Sequence, residues 1–194
     1  EGLWLFSLGI WKKVIVAEAF GGGADWGWAN LPALNSTTAL AVTLSYTLQL
    51  YFDFSGYTDM ARGIGKMLGV TLPENFDVPY QALTIRGFWK GWHMTMTRFF
   101  TRYLYIPLGG SRRGLPRTCV NTLVIFLASG LWHGADWSFV VWGGLHGIAM
   151  VADRLLGSRL DRLHPALSWA LTFGYVNFCW IFFRAGSVRE ALAM

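Results

Sequence analysis

An apolar run over residues 118–132 ends at Trp132-His133-Gly134, and a second begins just past Asp136, over 137–152. Two apolar runs with so short a polar break between them fold most simply as a helical hairpin. An ionisable group at bilayer depth is expensive, so an imidazole kept between two spans points to a functional site. The chemistry is expected at this break.

Hydrophobic residues make up 54% of the chain and charged residues 14%, with a mean hydropathy of +0.38. That balance is too apolar for an ordinary water-soluble domain and is that of a membrane protein. Eleven tryptophans and sixteen Lys plus Arg against eleven acids fit the same class, because aromatics favour the membrane interface and cationic loops the cytoplasmic side. The basic excess therefore argues for lipid and topology, not nucleic acid. Cys119 and Cys179 lie inside apolar runs without a Cys-x-x-Cys spacing, so neither a disulfide framework nor a metal site is expected and both read as packing residues.

Further apolar segments occupy about 2–20, 38–54 and 167–183. Most segments fall short of the roughly 20 residues that a perpendicular helix needs, so some are expected to be tilted, broken or re-entrant. Gly21-Gly22-Gly23 reads as a loop, 57–69 as a short helix, Pro73-Glu74-Asn75-Phe76 as a turn and Pro107-Leu108-Gly109-Gly110 as the stop of a helix over about 84–105. The chain opens at Glu1 without a leader pattern, and Ser187 to Glu190 has capping-box spacing just before Met194, so both ends are expected to be cuts in a longer protein.

Arg98, Arg102, Arg112, Arg113 and Arg117 precede the first arm of the hairpin, and Arg154, Arg159 and Arg162 follow the second. Both clusters should face the cytoplasm. A helix from Arg117 to His133 rises about 24 Å, less than a core of roughly 30 Å, so His133 should floor a recess that opens outward. The alternative is an inert, hydrogen-bonded histidine at a turn.

The 84–105 segment crowds Phe88, Trp89, Trp92, Phe99, Phe100, Tyr103 and Tyr105 together with Arg86, Lys90, Arg98 and Arg102. It reads as an interfacial or protein-buried helix. His93, one turn from both Trp89 and Met96, falls on its apolar side. A lone histidine there is usually a satisfied core residue, but two imidazoles in separately broken segments can divide base and orienting roles. Asp53 and Asp59 are expected to pair structurally, for instance with an arginine of the 84–105 helix. Asp136 either holds the His133 ring or, as the more frequent use of Asp, caps the next helix. Asn75 reads as a turn residue, His146 as part of a closely packed stretch after Gly143-Gly144, and His164 as solvated surface.

Five stretches carry a resemblance in order: Tyr51-Phe52-Asp53-Phe54-Ser55-Gly56-Tyr57-Thr58-Asp59-Met60-Ala61, Leu72-Pro73-Glu74-Asn75-Phe76, Phe88-Trp89-Lys90-Gly91-Trp92-His93, Tyr103 to Gly110, and Gly130-Leu131-Trp132-His133-Gly134. Together they resemble the membrane-bound O-acyltransferase family over roughly residues 2–150, most like its bacterial alginate O-acetyltransferase branch, with D-alanine transfer proteins of teichoic acid modification more distant. The resemblance implies an all-α polytopic membrane protein, one domain over 1–194 that is part of a longer chain, with broken and re-entrant helices around a through-membrane active-site passage. It maps the family histidine of Trp-His-Gly onto His133 and the histidine after Phe-Trp-x-x-Trp onto His93.

The implied reaction moves an acetyl group from a cytoplasmic thioester, such as acetyl-coenzyme A, toward hydroxyls of an extracytoplasmic polysaccharide such as alginate or a related exopolysaccharide, directly or through a periplasmic acetyltransferase. No tightly bound cofactor is implied, and the location would be a bacterial inner membrane. His133 is the candidate base, and His93 would orient it, polarise the thioester carbonyl or stabilise the oxyanion. Arg98 and Arg102 either position the donor's phosphate or meet anionic lipid headgroups. The alternatives are D-alanyl transfer from a carrier protein, a transporter, or a structural subunit. Lys90-Gly91 and Arg102 depart from the branch, which commonly has arginines at the former and an acid at the latter; donor or partner specificity is where that bears. Cysteines introduced near Arg112 and Arg159 should react with a membrane-impermeant reagent only from the cytoplasmic side, and labelling of both from outside inverts the topology.

Overall fold

The computed structural model describes residues 1–160 and 162–194. The described residues are helical, without strands, and form two compact units, Glu1–Phe76 with Ala193–Met194 and Asp77–Leu192.

In the first unit α1 (Gly2–Ile10), a π-helical stretch (Trp11–Ala17) and α2 (Glu18–Ala29) run on as one helical rod. It packs antiparallel along α3 (Ser36–Met67). The contact is made by glycines: a Cβ on Gly9 would stand 2.6 Å from the Gly56 carbonyl oxygen, and one on Gly63 would stand 2.7 Å from that of Gly2. Small residues two turns apart on each helix thus let the backbones touch. Gly21-Gly22-Gly23 lies inside α2 rather than in a loop. Packing onto α3 outweighs the intrinsic cost of glycine in a helix, and Gly27 has no room for a Cβ beside Val42.

The same register explains why α3 is one helix of 32 residues, where an apolar segment and a separate short helix were expected: Gly56 serves the contact with Gly9 instead of breaking the chain. Asn35 begins the helix, its Oδ1 accepting from the Thr37 and Thr38 amides at 3.0 Å each. Asp59 and Asp53 pair with Lys12, at 2.6 Å, and Lys13 on the π-helical stretch, and Arg62 bridges Asp59 and Glu74. The expected structural pairing is present, with Lys12 and Lys13 from that rod and Arg62 from α3 itself in place of an arginine of the 84–105 segment.

The second unit holds three helices long and apolar enough to cross a membrane: Gly114–His133 (α6), Trp137–Gly157 within α7 (Trp137–Leu160), and Pro165–Arg184 (α8). Each exceeds its apolar run because its ends take in flanking polar and basic residues. α6 and α7 form the expected hairpin, pressed together at Gly130 and Gly143, where a Cβ would lie 2.3 Å from the carbonyl oxygens of Phe139 and Phe126 respectively. Asp136 caps α7, accepting from the Ser138 amide at 2.8 Å, and His164 caps α8 through the Ala166 amide. A short α9 (Val188–Ala191) begins at Ser187, whose hydroxyl accepts from the Glu190 amide at 3.2 Å.

The 84–105 segment is not one helix. It consists of α4 (Ile85–Gly91), α5 (Met94–Phe100) and a π-helical stretch (Thr101–Tyr105), broken at Trp92-His93. Two adjacent glycines on α7 offer a test of the backbone contact. At Gly143 the obstacle is main chain and cannot move aside, whereas a Cβ on Gly144 meets only Leu127 Cδ2 at 3.8 Å. Gly143→Ala should lower stability by roughly 1–3 kcal/mol and Gly144→Ala should not, read from thermal unfolding in detergent.

Candidate active site

α4 is fastened to α7 at both ends. At its start, Thr84 accepts from the Gly87 amide at 3.0 Å, and buried Asp153 accepts from the Arg86 amide at 2.8 Å; the Arg86 guanidinium lies 3.7 Å from the same carboxylate. Two turns back along α7, His146 Nδ1 accepts from the Trp89 indole at 3.2 Å, and the His146 ring is fully buried among Phe88, Trp89, Trp142 and Trp180. His146 is thus more than a bystander of helix packing, because it holds a motif tryptophan in place.

With α4 fixed, its C-terminal end sets the path of the chain into α5. A Cβ on Gly91 would lie 2.3 Å from the Asp77 carbonyl oxygen, and the Asp77 amide donates to the Gly91 carbonyl at 2.9 Å. The chain then turns at His93 in the left-handed region, φ 44° and ψ 53°. Such a conformation is uncommon for a residue with a side chain and gathers at functional sites. It lifts the half-buried His93 ring out of the helix line, so the placement one regular turn from Trp89 and Met96 does not hold.

His133 is the last residue of α6. Its half-buried ring lies 4.8 Å from Trp132, 5.1 Å from Phe183 and 5.2 Å from Trp142, centroid to centroid. Gly134 must come next, since a Cβ there would enter the Phe139 ring at 2.5 Å. The His93 ring also lies near Trp132, with centroids 6.4 Å apart. The structure therefore brings both candidate histidines to one tryptophan. Burial, and after it the charge that His133 would carry, pushes His93 down to about 4, so its ring is neutral at physiological pH.

Two cavities lie nearby, one of them lined by His93, and His133 lines neither. One of about 230 Å³ runs past Arg154, Tyr105, Thr122, Phe126, Ser129 and Met96. The other, about 400 Å³, is walled by His93, Thr95, Met96, Phe99, Phe100 and Trp132. The cation in the first cavity's wall is Arg154, while Arg98 and Arg102 are exposed on α5 and the π-helical stretch, Arg102 over the Tyr103 ring at 5.7 Å. Sequence reasoning placed Arg154 only in a topological cluster and passed over Asp153. A position seven residues after His146 on one helical face was the available signal for Asp153.

Three helices of membrane-spanning length and apolarity among the described residues, with two half-buried imidazoles beside one tryptophan, fit an integral membrane protein. Residues 3–188 match the membrane-bound O-acyltransferase family, and the chain belongs to it. It is 45% identical to a peptidoglycan O-acetyltransferase of Helicobacter pylori over 98% of the chain and 37% of that protein. It is 41% identical to a probable alginate O-acetylase of Pseudomonas putida over 100% of the chain and 40% of that protein. A teichoic acid D-alanyltransferase of Bacillus subtilis is 29% identical over 77% of the chain and 42% of its own length. The chain thus spans about two fifths of these relatives.

Proposed function

We propose that the protein transfers an acetyl group from a thioester donor on the cytoplasmic side to a hydroxyl of a cell-envelope polysaccharide, directly or through a second acetyltransferase, in a bacterial inner membrane. The observation that carries this reading is the cavity that runs from Arg154 to Ser129, one helical turn before His133 on α6. From Thr122 to Ser129 it runs along α6 for about 10 Å, and it shares Met96 and Phe100 with the cavity that His93 lines. On this reading a donor arm lies in the first cavity and its acyl group meets the His93 cavity at Met96 and Phe100. The names of the two whole-chain relatives, both acetyl transfer enzymes, favour acetyl over D-alanyl transfer, since the alanyltransferase relative is less similar over a smaller share.

His133 acts as the base. It takes the acceptor's hydroxyl proton as that oxygen attacks the thioester carbonyl, the C–O bond forms, and collapse of the tetrahedral intermediate breaks the C–S bond. The proton then passes from the imidazolium to the leaving thiolate. His93 stands where it could orient the acceptor or donate to the developing oxyanion. Trp132 lies against both rings.

His133→Ala should lower acetyl transfer by about 10²–10⁴-fold with membrane insertion retained, and wild-type acetylation by that variant overturns the assignment. His93→Ala should lose much of the rate but less than His133→Ala, because water can replace part of an orienting or donating group; parental activity returns His93 to a packing role. Both are read as product acetylation normalised to inserted protein.

The donor's phosphate is assigned to Arg154 at the cavity wall, with Arg98 and Arg102 further out. Arg154→Gln should raise the half-saturating donor concentration severalfold with acceptor dependence unchanged, and Arg98→Gln with Arg102→Gln should raise it less. If donor dependence stays put in reconstituted vesicles, these arginines serve the membrane alone.

A further inference from the structure

The two cavities beside the histidines are separated by a pair of shared walls, Met96 and Phe100. Met96 is buried, and the buried Ser129 hydroxyl donates to its sulfur at 3.8 Å. Methionine is the most adaptable apolar side chain, with three rotatable bonds and no branch. Tied to Ser129 from the neighbouring α6, it becomes a fixed partition. Phe100 faces the second cavity as well, and its ring packs 6.3 Å from Trp132, centroid to centroid.

We propose that Met96 and Phe100 form a neck that restricts the transferred acyl group to short chains. The proposal rests on the acyl-transfer reading above: a thioester arm in the Arg154 cavity presents its acyl group to the His93 cavity at this partition. An acetyl group adds one methyl beyond the carbonyl and passes with little disturbance. Each further methylene must occupy space held by the thioether or the Phe100 ring, and a close-packed interior yields that space only by moving side chains. A longer chain would have to swing Met96 off Ser129. Ser129 is thereby a positioning residue: it acts on the acyl group through Met96.

The test compares acetyl, butyryl and hexanoyl thioesters of one carrier at saturation, in membranes holding the protein, with rates normalised to inserted protein. Met96→Ala joins the two cavities and should raise the butyryl-to-acetyl rate ratio by about tenfold or more, as expected for methylenes admitted to an apolar pocket. Ser129→Ala leaves the Met96 side chain in place but untied and should raise the same ratio by a smaller factor. If Met96→Ala fails to insert, Ser129→Ala carries the test. An unchanged ratio in the inserted variants overturns the neck, and so does a parent protein that uses butyryl as readily as acetyl. A parent that transfers no acyl group from any thioester overturns the acyl-transfer reading itself, an outcome distinct from a flat chain-length profile.

Discussion

The main-chain contact between α6 and α7 at Gly130 and Gly143 is the constraint on which the second unit depends. Lipid offers helices little hydrophobic reason to associate, so they gain stability from close van der Waals approach, which only small residues allow. Once the two backbones touch, α7 carries Trp142, His146 and Asp153 at fixed heights. Asp153 and His146 hold α4 by the Arg86 amide and by the Trp89 indole. α4 then ends against Asp77 at Gly91, and the turn beyond it puts His93 beside Trp132. Two histidines forty residues apart in sequence thus meet because one glycine pair sets the spacing of a hairpin and a buried carboxylate sets the position of a seven-residue helix.

The first unit uses the same device with a different electrostatic addition. Gly2, Gly9, Gly56 and Gly63 bring α1 and α3 together, and Lys12 and Lys13 neutralise Asp59 and Asp53 on the facing helix. Two successive lysines reach two acids six residues apart because the stretch carrying them is π-helical, with a wider turn than an α-helix. Charges within an apolar bundle survive when paired. Each unit therefore uses glycines where backbones touch and ionic or hydrogen-bonded pairs for polar groups between helices.

Much of this was legible in the chain. The break at Trp132-His133-Gly134 announced the hairpin, because two apolar runs with a few polar residues between them have few ways to satisfy their backbones in lipid. The ordered motifs singled out both histidines. The break at His93 was not legible: nothing local distinguishes a left-handed histidine from a helical one, and the cause lies in Asp77, sixteen residues upstream. The Gly21-Gly22-Gly23 stretch misled for a related reason, since glycine marks a loop by local propensity and a close contact by tertiary packing, and only the partner helix decides. Arg154 was hidden among arginines of equal charge, as charge patterning reports which side of the bilayer a residue faces and not which cavity it lines.

The histidine pair has a protonic property that arises from burial and proximity together. A buried imidazole resists the charged form, and His93 resists it further when His133 holds a proton. A charge on His133 therefore disfavours one on His93. Transfer from a thioester to a hydroxyl moves one proton, released by the acceptor and returned to the thiolate. A His93 ring that stays neutral has one nitrogen free to accept and the other to donate. On the proposed reaction, a neutral His93 ring donates to the oxyanion while His133 carries the proton.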